Sequence, residues 1–224
     1  MSNIAIIPAG GKGLRSGLAT PKQYLKIKGK EIIVYTLQTF QRNKYISKII
    51  IAAEPEYFSL LTRLVTKYKL SKVKLIVEGG VTRQQSVFNA VLSSEAANDD
   101  LLVVHDAARA LLPDYVLTNA IQLANKKGNA LVCIKAKDTL MRGNNTVINY
   151  LNRDEVYYVQ TPQIFKFKDL HKALIRAEKE KYLGTDESML VKRIGKKVHI
   201  AEGSVLNFKI TTSVDVELFR KIVN

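Results

Sequence analysis

The chain offers little to thiol, disulfide or membrane chemistry. A single cysteine, Cys133, stands among 224 residues. It can form no intrachain disulfide and has no partner cysteine for a zinc site. It lies in the apolar run Ala130-Leu131-Val132-Cys133-Ile134 and reads as a small buried hydrophobe. No run reaches the roughly 18 apolar residues of a membrane span. No cationic segment precedes an apolar stretch with a cleavage site; Met1-Ser2-Asn3 leads directly into a strand-like segment. The expectation is a protein of the reducing cytoplasm. Acids are also scarce. Against 35 Lys and Arg there are 20 Asp and Glu, a net charge of +15, and none of the acids precedes Glu31, which sits at a candidate helix start.

Such a balance attracts polyanions, nucleic acid among them. The lysines, however, are scattered from Lys26 to Lys197, many beside turn residues or on the wet faces of helices. No basic stripe is interleaved with aromatics, and no zinc finger, homeodomain or RNA-recognition motif is present. A small, strongly anionic substrate accounts for the charge equally well. A basic nucleic-acid-binding protein stays as the alternative from a different class.

The first 25 residues are the richest in chemistry. Ile4-Ala5-Ile6-Ile7-Pro8 reads as a buried strand and runs into Ala9-Gly10-Gly11-Lys12-Gly13-Leu14-Arg15, followed by Pro21-Lys22-Gln23-Tyr24. A strand ending in a glycine-rich turn with cations is a device for phosphate: glycines let backbone N–H groups approach the anion, and cations neutralise it. The pattern is not a P-loop, because Arg15 stands where that motif needs its second glycine. Nor is it the dinucleotide fingerprint. Gly11-Lys12-Gly13 begins that motif, but Ser16 occupies the third glycine position and no acid follows at the required distance. The plain reading, a strand-to-helix turn with surface cations, stays open on the loop alone.

Further along, short apolar runs at Ile46 to Ala52, Val73 to Val77, Leu101 to Val104 and Ala130 to Ile134 suit a buried parallel sheet. Helical spacing fills the gaps: Tyr57 to Val65, Thr82 to Ala97, and a helix opened by Pro113 at an early position. This alternation predicts an α/β fold with a doubly wound, mainly parallel sheet in a single domain over 1–224. In such sheets ligands bind beyond the carboxyl ends of the strands. The glycine loop, Glu78-Gly79-Gly80 and His105-Asp106 would then share one rim. The stretch 137–157 breaks the rhythm: extended segments flank a Gly143-Asn144-Asn145 turn and predict a β-hairpin arm standing off the sheet. Helices are expected from about Lys168 to Lys181, from Thr185-Asp186-Glu187 and from Thr212-x-x-Asp215, and strands at Val198 to Ala201 and Asn207-Phe208-Lys209-Ile210.

Taken in order, Ala9-Gly10-Gly11-x-Gly13-x-Arg15, Pro21-Lys22-Gln23-Tyr24, Glu78-Gly79-Gly80-x-x-Arg83-x-x-Ser86-Val87, Val104-His105-Asp106-Ala107-Ala108-Arg109, Asp138-Thr139, Thr161-Pro162-Gln163, Thr185-Asp186-Glu187 and Asn207-Phe208-Lys209-Ile210 give the chain, over essentially its whole length, a resemblance to the 2-C-methyl-D-erythritol 4-phosphate cytidylyltransferases of the non-mevalonate isoprenoid pathway. The resemblance implies a Rossmann-like nucleotidyltransferase sheet. It also implies a reaction in which the phosphate of methylerythritol phosphate attacks the α-phosphorus of CTP and pyrophosphate leaves. The nucleophile is already an anion, so positioning and cations carry the catalysis.

By motif position, Arg15 and Lys22 would stabilise the transition state. The backbone of Ala9, Gly10, Gly11, Lys12 and Gly13 would cradle the triphosphate, with Arg83 on the CTP side. Gly80 and Ser86 would hold the cytosine. Asp106, Arg109, Thr139, Thr161, Thr185 and Asp186 would border the methylerythritol phosphate, and Lys209 and Arg153 would position its phosphate. In this family Arg153 reaches in from the neighbouring subunit's arm, which implies a homodimer with arm exchange. Mg2+ would sit mainly on the CTP phosphates, with Asp106 the nearest candidate carboxylate.

Other readings of the same residues are simpler. Arg83 and Lys12 read equally as solvated cations. Thr185-Asp186-Glu187 also reads as a helix cap. His105 reads as a packed residue that orients its loop, because this chemistry needs no base near neutral pH. His171 and His199 carry no site signal. The chain departs from the family pattern at Ala110, where proline is usual, and at Ser16, where an apolar residue is usual; neither removes a charged group. Ribitol-5-phosphate cytidylyltransferases share the loop and the mechanism and make CDP-ribitol. They are the nearest alternative, and the Ala107-Ala108 pair favours the methylerythritol enzymes over them.

Overall fold

A computed structural model describes residues 1–10 and 21–223. Its elements run β1 (Asn3–Pro8), β2 (Lys26–Ile27), β3 (Lys30–Glu31), α1 (Ile32–Arg42), β4 (Lys48–Ala53), α2 (Phe58–Lys67), β5 (Val73–Glu78), α3 (Arg83–Leu92), β6 (Leu101–Val104), α4 (Asp114–Lys127), β7 (Asn129–Lys135), β8 (Met141–Asn144), β9 (Thr146–Tyr150), β10 (Tyr157–Lys166), α5 (Phe167–Lys179), α6 (Glu187–Arg193), β11 (Ile200–Glu202) and α7 (Ser213–Ile222).

The central sheet has the order β11-β7-β10-β6-β1-β4-β5. Only β10 runs against its neighbours, pairing antiparallel with both β6 and β7; the remaining pairs are parallel. The strands read as continuous apolar runs because both faces are covered. On one face Ala5, Ile7, Ile49, Ile51, Leu101 and Val103 pack against α1, α2 and α4. On the other, Ile4, Ile6, Ile50, Leu102, Val104 and Phe165 meet α3, α5 and α6. The period-2 alternation of β1, Ile4 and Ile6 against Ala5 and Ile7, thus sends its side chains into two separate cores. Gly128 ends α4 in the left-handed region (φ 87°), where a residue with a Cβ is disfavoured.

A third apolar cluster closes one end of the sheet. Ile27, Ile32, Ala108, Ala110, Ile210 and Phe219 gather there, with Tyr35 edge-on to Phe219. Ala110 packs inside this cluster. The α7 start is the expected capping box: the Thr212 hydroxyl accepts from Asp215 N, and the Asp215 carboxylate accepts from Thr212 N.

Three expectations need correction. Asn207 to Ile210 is not a strand; Asn207 N turns back to Ser204 O and Ile210 N donates to Ala108 O, so the segment is pinned at points and not laddered. Its apolar residues bury in the third cluster, which imitates a strand's pattern in sequence. Pro113 stands just before α4 and serves as its N-cap residue. The hairpin turn is tighter than expected: of Gly143-Asn144-Asn145 only Asn145, at φ 61°, stands between β8 and β9. Among the described residues these two strands pair only with each other, and they are exposed along their whole length.

Candidate active site

The strands β4 and β5 lie on one side of β1, and β6 on the other, so chain connections diverge at the carboxyl end of β1. That is the switch point at which open α/β sheets bind ligands. A cavity of about 710 Å³ occupies it, lined by Ala9 and Gly10 after β1, Glu54 after β4, Gly79 and Gly80 after β5, and Asp106 after β6. Its size suits a small-molecule ligand. Lys22, Arg83, Ser86 and Lys209 complete much of the wall.

Lys22 is positioned by the two residues that follow it. Gln23 Nε2 donates to Ala9 O at 2.5 Å, and the Tyr24 hydroxyl reaches the same carbonyl at 3.3 Å. Tyr24 also stacks on Tyr57 at 4.0 Å between ring centroids. Burial pushes the Tyr24 phenol well above its ordinary pKa, so it stays a neutral donor. The turn is therefore clamped onto the end of β1.

At the far side of the loop, Thr82 caps α3 by accepting from Gln85 N. Ser86 Oγ accepts from Gly80 N at 3.0 Å, which ties the Gly79-Gly80 turn to the helix. A Cβ on Gly80 would collide with the Gln85 side chain, so the turn needs glycine there.

Asp106 is the electrostatic centre. Its Oδ1 accepts from Arg83 Nε at 2.8 Å, its Oδ2 from Lys209 Nζ at 2.8 Å, and Arg109 Nε stands 3.9 Å from Oδ2. Burial alone would raise its pKa, but Arg83 and Lys209 override it and hold the carboxyl well below the usual range. Arg83 is no solvated cation: its two terminal nitrogens bind Glu187 Oε1 and Oε2 at 2.6 and 3.1 Å. Burial disfavours its charge, yet Glu187 and Asp106 raise its pKa on balance.

His105 is fully buried and linked on both sides. Its Nε2 stands 3.1 Å from Arg109 O, which can only accept, so Nε2 carries the proton. Nδ1 then accepts from the Thr161 hydroxyl at 2.9 Å, and that hydroxyl accepts from Asp106 N. Burial lowers the imidazole pKa to about 4. His105 is thus a neutral prop that fixes the loop from Asp106 to Arg109. Arg109 reaches across to Asn207 O at 2.7 Å, and the Asn207 amide donates to Thr161 O at 2.7 Å. Burial depresses the Arg109 pKa.

The described structure therefore gathers Ala9, Gly10, Lys22, Gly80, Arg83, Ser86, Asp106 and Lys209 around one cavity, with Arg109 and Thr161 behind Asp106. Gly11, Lys12, Gly13 and Arg15 lie outside the described residues. Four others stand apart from the cavity wall. Thr139 and Arg153 are exposed in and beside the hairpin. Thr185 Oγ1 turns to the Met189 sulfur, and Asp186 caps α6 while accepting from Gln163 Nε2. Two contributors lacked a sequence assignment beyond their motifs. Gln23 shows only as a polar residue between Lys22 and Tyr24, and Glu187 looked like a cap residue although it is 1% exposed.

Among the described residues no three His, Cys, Asp or Glu side chains converge as a metal cage. Both Asp106 oxygens already face cations, so these side chains alone do not fit a divalent ion. Cys133 is buried, its thiol pushed up to about 11 by burial, and it offers no nucleophile. No helix among the described residues is long and apolar enough to cross a membrane. What the cavity offers is preorganised positive charge beside a glycine-rich turn, the equipment for phosphate chemistry.

Comparison with known proteins points the same way. The family model described as IspD, 2-C-methyl-D-erythritol 4-phosphate cytidylyltransferase, matches residues 3–224. A 2-C-methyl-D-erythritol 4-phosphate cytidylyltransferase from Clostridium acetobutylicum is 41% identical over 217 residues, covering 96% of this chain and 94% of the relative. One from Lysinibacillus sphaericus is 39% identical over 212 residues, covering 94% and 91%. The crystal structure of the Francisella tularensis enzyme of that name superposes with a TM-score of 0.83 at 29% identity, covering 99% of each chain. A match along nearly the whole length, with the switch-point cavity and its cations in place, means that this chain belongs to the 2-C-methyl-D-erythritol 4-phosphate cytidylyltransferase family of nucleotidyltransferases.

Proposed function

We propose that the protein transfers CMP from CTP to 2-C-methyl-D-erythritol 4-phosphate and releases pyrophosphate. The observation that carries this reading is the pairing of Lys22 and Lys209, from opposite ends of the chain, on the wall of one cavity whose neighbouring histidine is a locked neutral prop. A site for two phosphates needs cations on both and a base on neither.

An oxygen of the acceptor phosphate attacks the α-phosphorus of CTP. A new P–O bond forms, the bond from the α-phosphorus to the bridging oxygen breaks, and pyrophosphate departs with the electron pair. The attacking oxygen is already anionic, so no proton moves. The barrier is the meeting of two anions, and the chain lowers it by positioning and by charge. Lys22 and Arg15 neutralise the α-phosphate, and the glycine turn offers backbone N–H groups to the triphosphate. Gly80 and Ser86 hold the base, with Arg83 behind them. Asp106, Arg109 and Thr161 shape the acceptor pocket, and Lys209 meets its phosphate. Thr139, Thr185 and Asp186, which stand apart from the cavity wall, would border the polyol.

Arg153 would serve the site of a second copy. The exposed hairpin supports a homodimer with exchanged arms: Met141, Val147, Ile148 and Tyr150 present apolar area there. Mg2+ would arrive on the CTP phosphates, where it neutralises charge; Asp106 becomes available to it only if Lys209 withdraws. The buried thiol fits a reducing cytoplasm.

The test is pyrophosphate release from CTP with methylerythritol phosphate and, separately, ribitol 5-phosphate. The expected result is the higher kcat/KM with methylerythritol phosphate. Preference for ribitol 5-phosphate would reassign the acceptor. Release with neither, together with nucleic-acid binding tighter than the roughly 10⁻⁴–10⁻⁶ M of nonspecific contacts, would overturn the class.

A further inference from the structure

Glu187 has no part in the reading above, yet it is among the most deeply buried charged residues of the described chain. A buried carboxylate is costly unless it is paired and hydrogen-bonded. Glu187 meets that condition through one partner: both oxygens are taken by the fork of Arg83. A two-point pair of this kind fixes direction as well as energy. With its terminal nitrogens occupied, Arg83 has Nε left, and Nε donates to Asp106 Oδ1. Asp106 Oδ2 is then the oxygen that receives Lys209. Four side chains form an alternating relay, Glu187–Arg83–Asp106–Lys209, from α6 to the cavity wall.

The counts of charge explain why the far end matters. Arg83, Arg109 and Lys209 face Asp106 and Glu187, so the cluster carries one positive charge in excess. Without the Glu187 charge, the freed fork of Arg83 would turn onto Asp106, whose geometry suits a bidentate guanidinium better than an ammonium. Lys209 would lose its fixed partner. Its long flexible stem would then have to be ordered anew in each catalytic cycle.

We propose that Glu187 is a positioning residue for the acceptor phosphate, acting through Arg83 and Asp106 to hold the Lys209 ammonium in the cavity. The inference rests on the reading that Lys209 meets that phosphate. Supports that orient a group which touches the ligand typically change activity by about 10- to 100-fold when removed.

Steady-state kinetics of Glu187→Gln test it, with the exposed Glu178→Gln as a folding-neutral control. The expected result is a loss of about tenfold or more in kcat/KM for methylerythritol phosphate, with the CTP KM within about twofold of wild type. Adding Lys209→Met should cost little beyond Lys209→Met alone, whereas adding Lys22→Ala should multiply the losses. If Glu187→Gln does not fold, Glu187→Asp, which keeps the charge but draws it back from the Arg83 fork, should show the same split. Equal losses for both substrates, or losses that multiply with Lys209→Met, would reduce Glu187 to a structural residue and overturn the inference. A wild-type chain without turnover would overturn the functional reading and this inference with it. An active wild type whose variants keep full acceptor efficiency overturns the inference alone.

Discussion

Lys209 Nζ donates to Asp106 Oδ2 at 2.8 Å, joining the segment before α7 to the loop after β6. Because Asp106 is nearly buried and also carries Arg83, the contact fixes a lysine that would otherwise move freely. Asp106→Asn removes the charge, takes the counter-ion from Lys209 and leaves Arg83 with Glu187 alone. Loss of one partner of a buried ion pair costs about 3–5 kcal/mol, and water screens part of it here because Lys209 is partly exposed. The urea midpoint should fall accordingly, and pyrophosphate release should drop more steeply than stability does. A variant as stable and as active as wild type would remove Asp106 from the centre of the site.

Lys22 is set on the cavity wall by the Gln23 and Tyr24 contacts to Ala9. Removing one preorganised donor from a transition state costs about 10²–10³ in rate. Lys22→Ala should lose that much in kcat with its fold intact by circular dichroism, and Arg15→Ala should do the same. Near-wild-type turnover in either would end its catalytic assignment.

The doubly wound sheet was legible because strands covered on both faces leave uninterrupted apolar runs such as Ile49-Ile50-Ile51. The site was legible where one motif brings its residues together, as in the loop from His105 to Arg109. Contacts made at long range were not. Arg83 and Glu187 are separated by 104 positions, and nothing in either neighbourhood announces the other. The same holds for Asn207, whose buried amide ties Lys209's segment to β10. Asn207 to Ile210 misled because a point-pinned segment packing Phe208 and Ile210 inward has the same alternation as a strand.

His105 makes stability depend on acidity. Burial lowers its folded pKa to about 4, below the ordinary value of about 6.5. Between these values the unfolded chain binds the proton and the folded one does not, so acid favours unfolding. The contribution is complete above about pH 6.5, declines by up to about 1.4 kcal/mol per pH unit as pH falls, and stops declining below about pH 4. Urea unfolding at a series of pH values should show this slope, and His105→Gln should flatten it. An unchanged slope in the variant would mean that another group titrates.

Gly80 faces Gln85 so closely that a methyl group has no room, and the clash includes Gln85 Cβ, which cannot swing away as a chain end could. Gly80→Ala must therefore shift the turn or the start of α3, breaking the bonds from Gly80 N to Ser86 Oγ and from Val81 N to Gln85 Oε1. Overpacking of this kind costs about 1–3 kcal/mol. If Gly80 and Ser86 hold the cytosine, the cost falls on CTP, and its KM should rise about tenfold while the acceptor KM stays within about twofold. An acceptor KM that rises with an unchanged CTP KM would move the base to another part of the cavity.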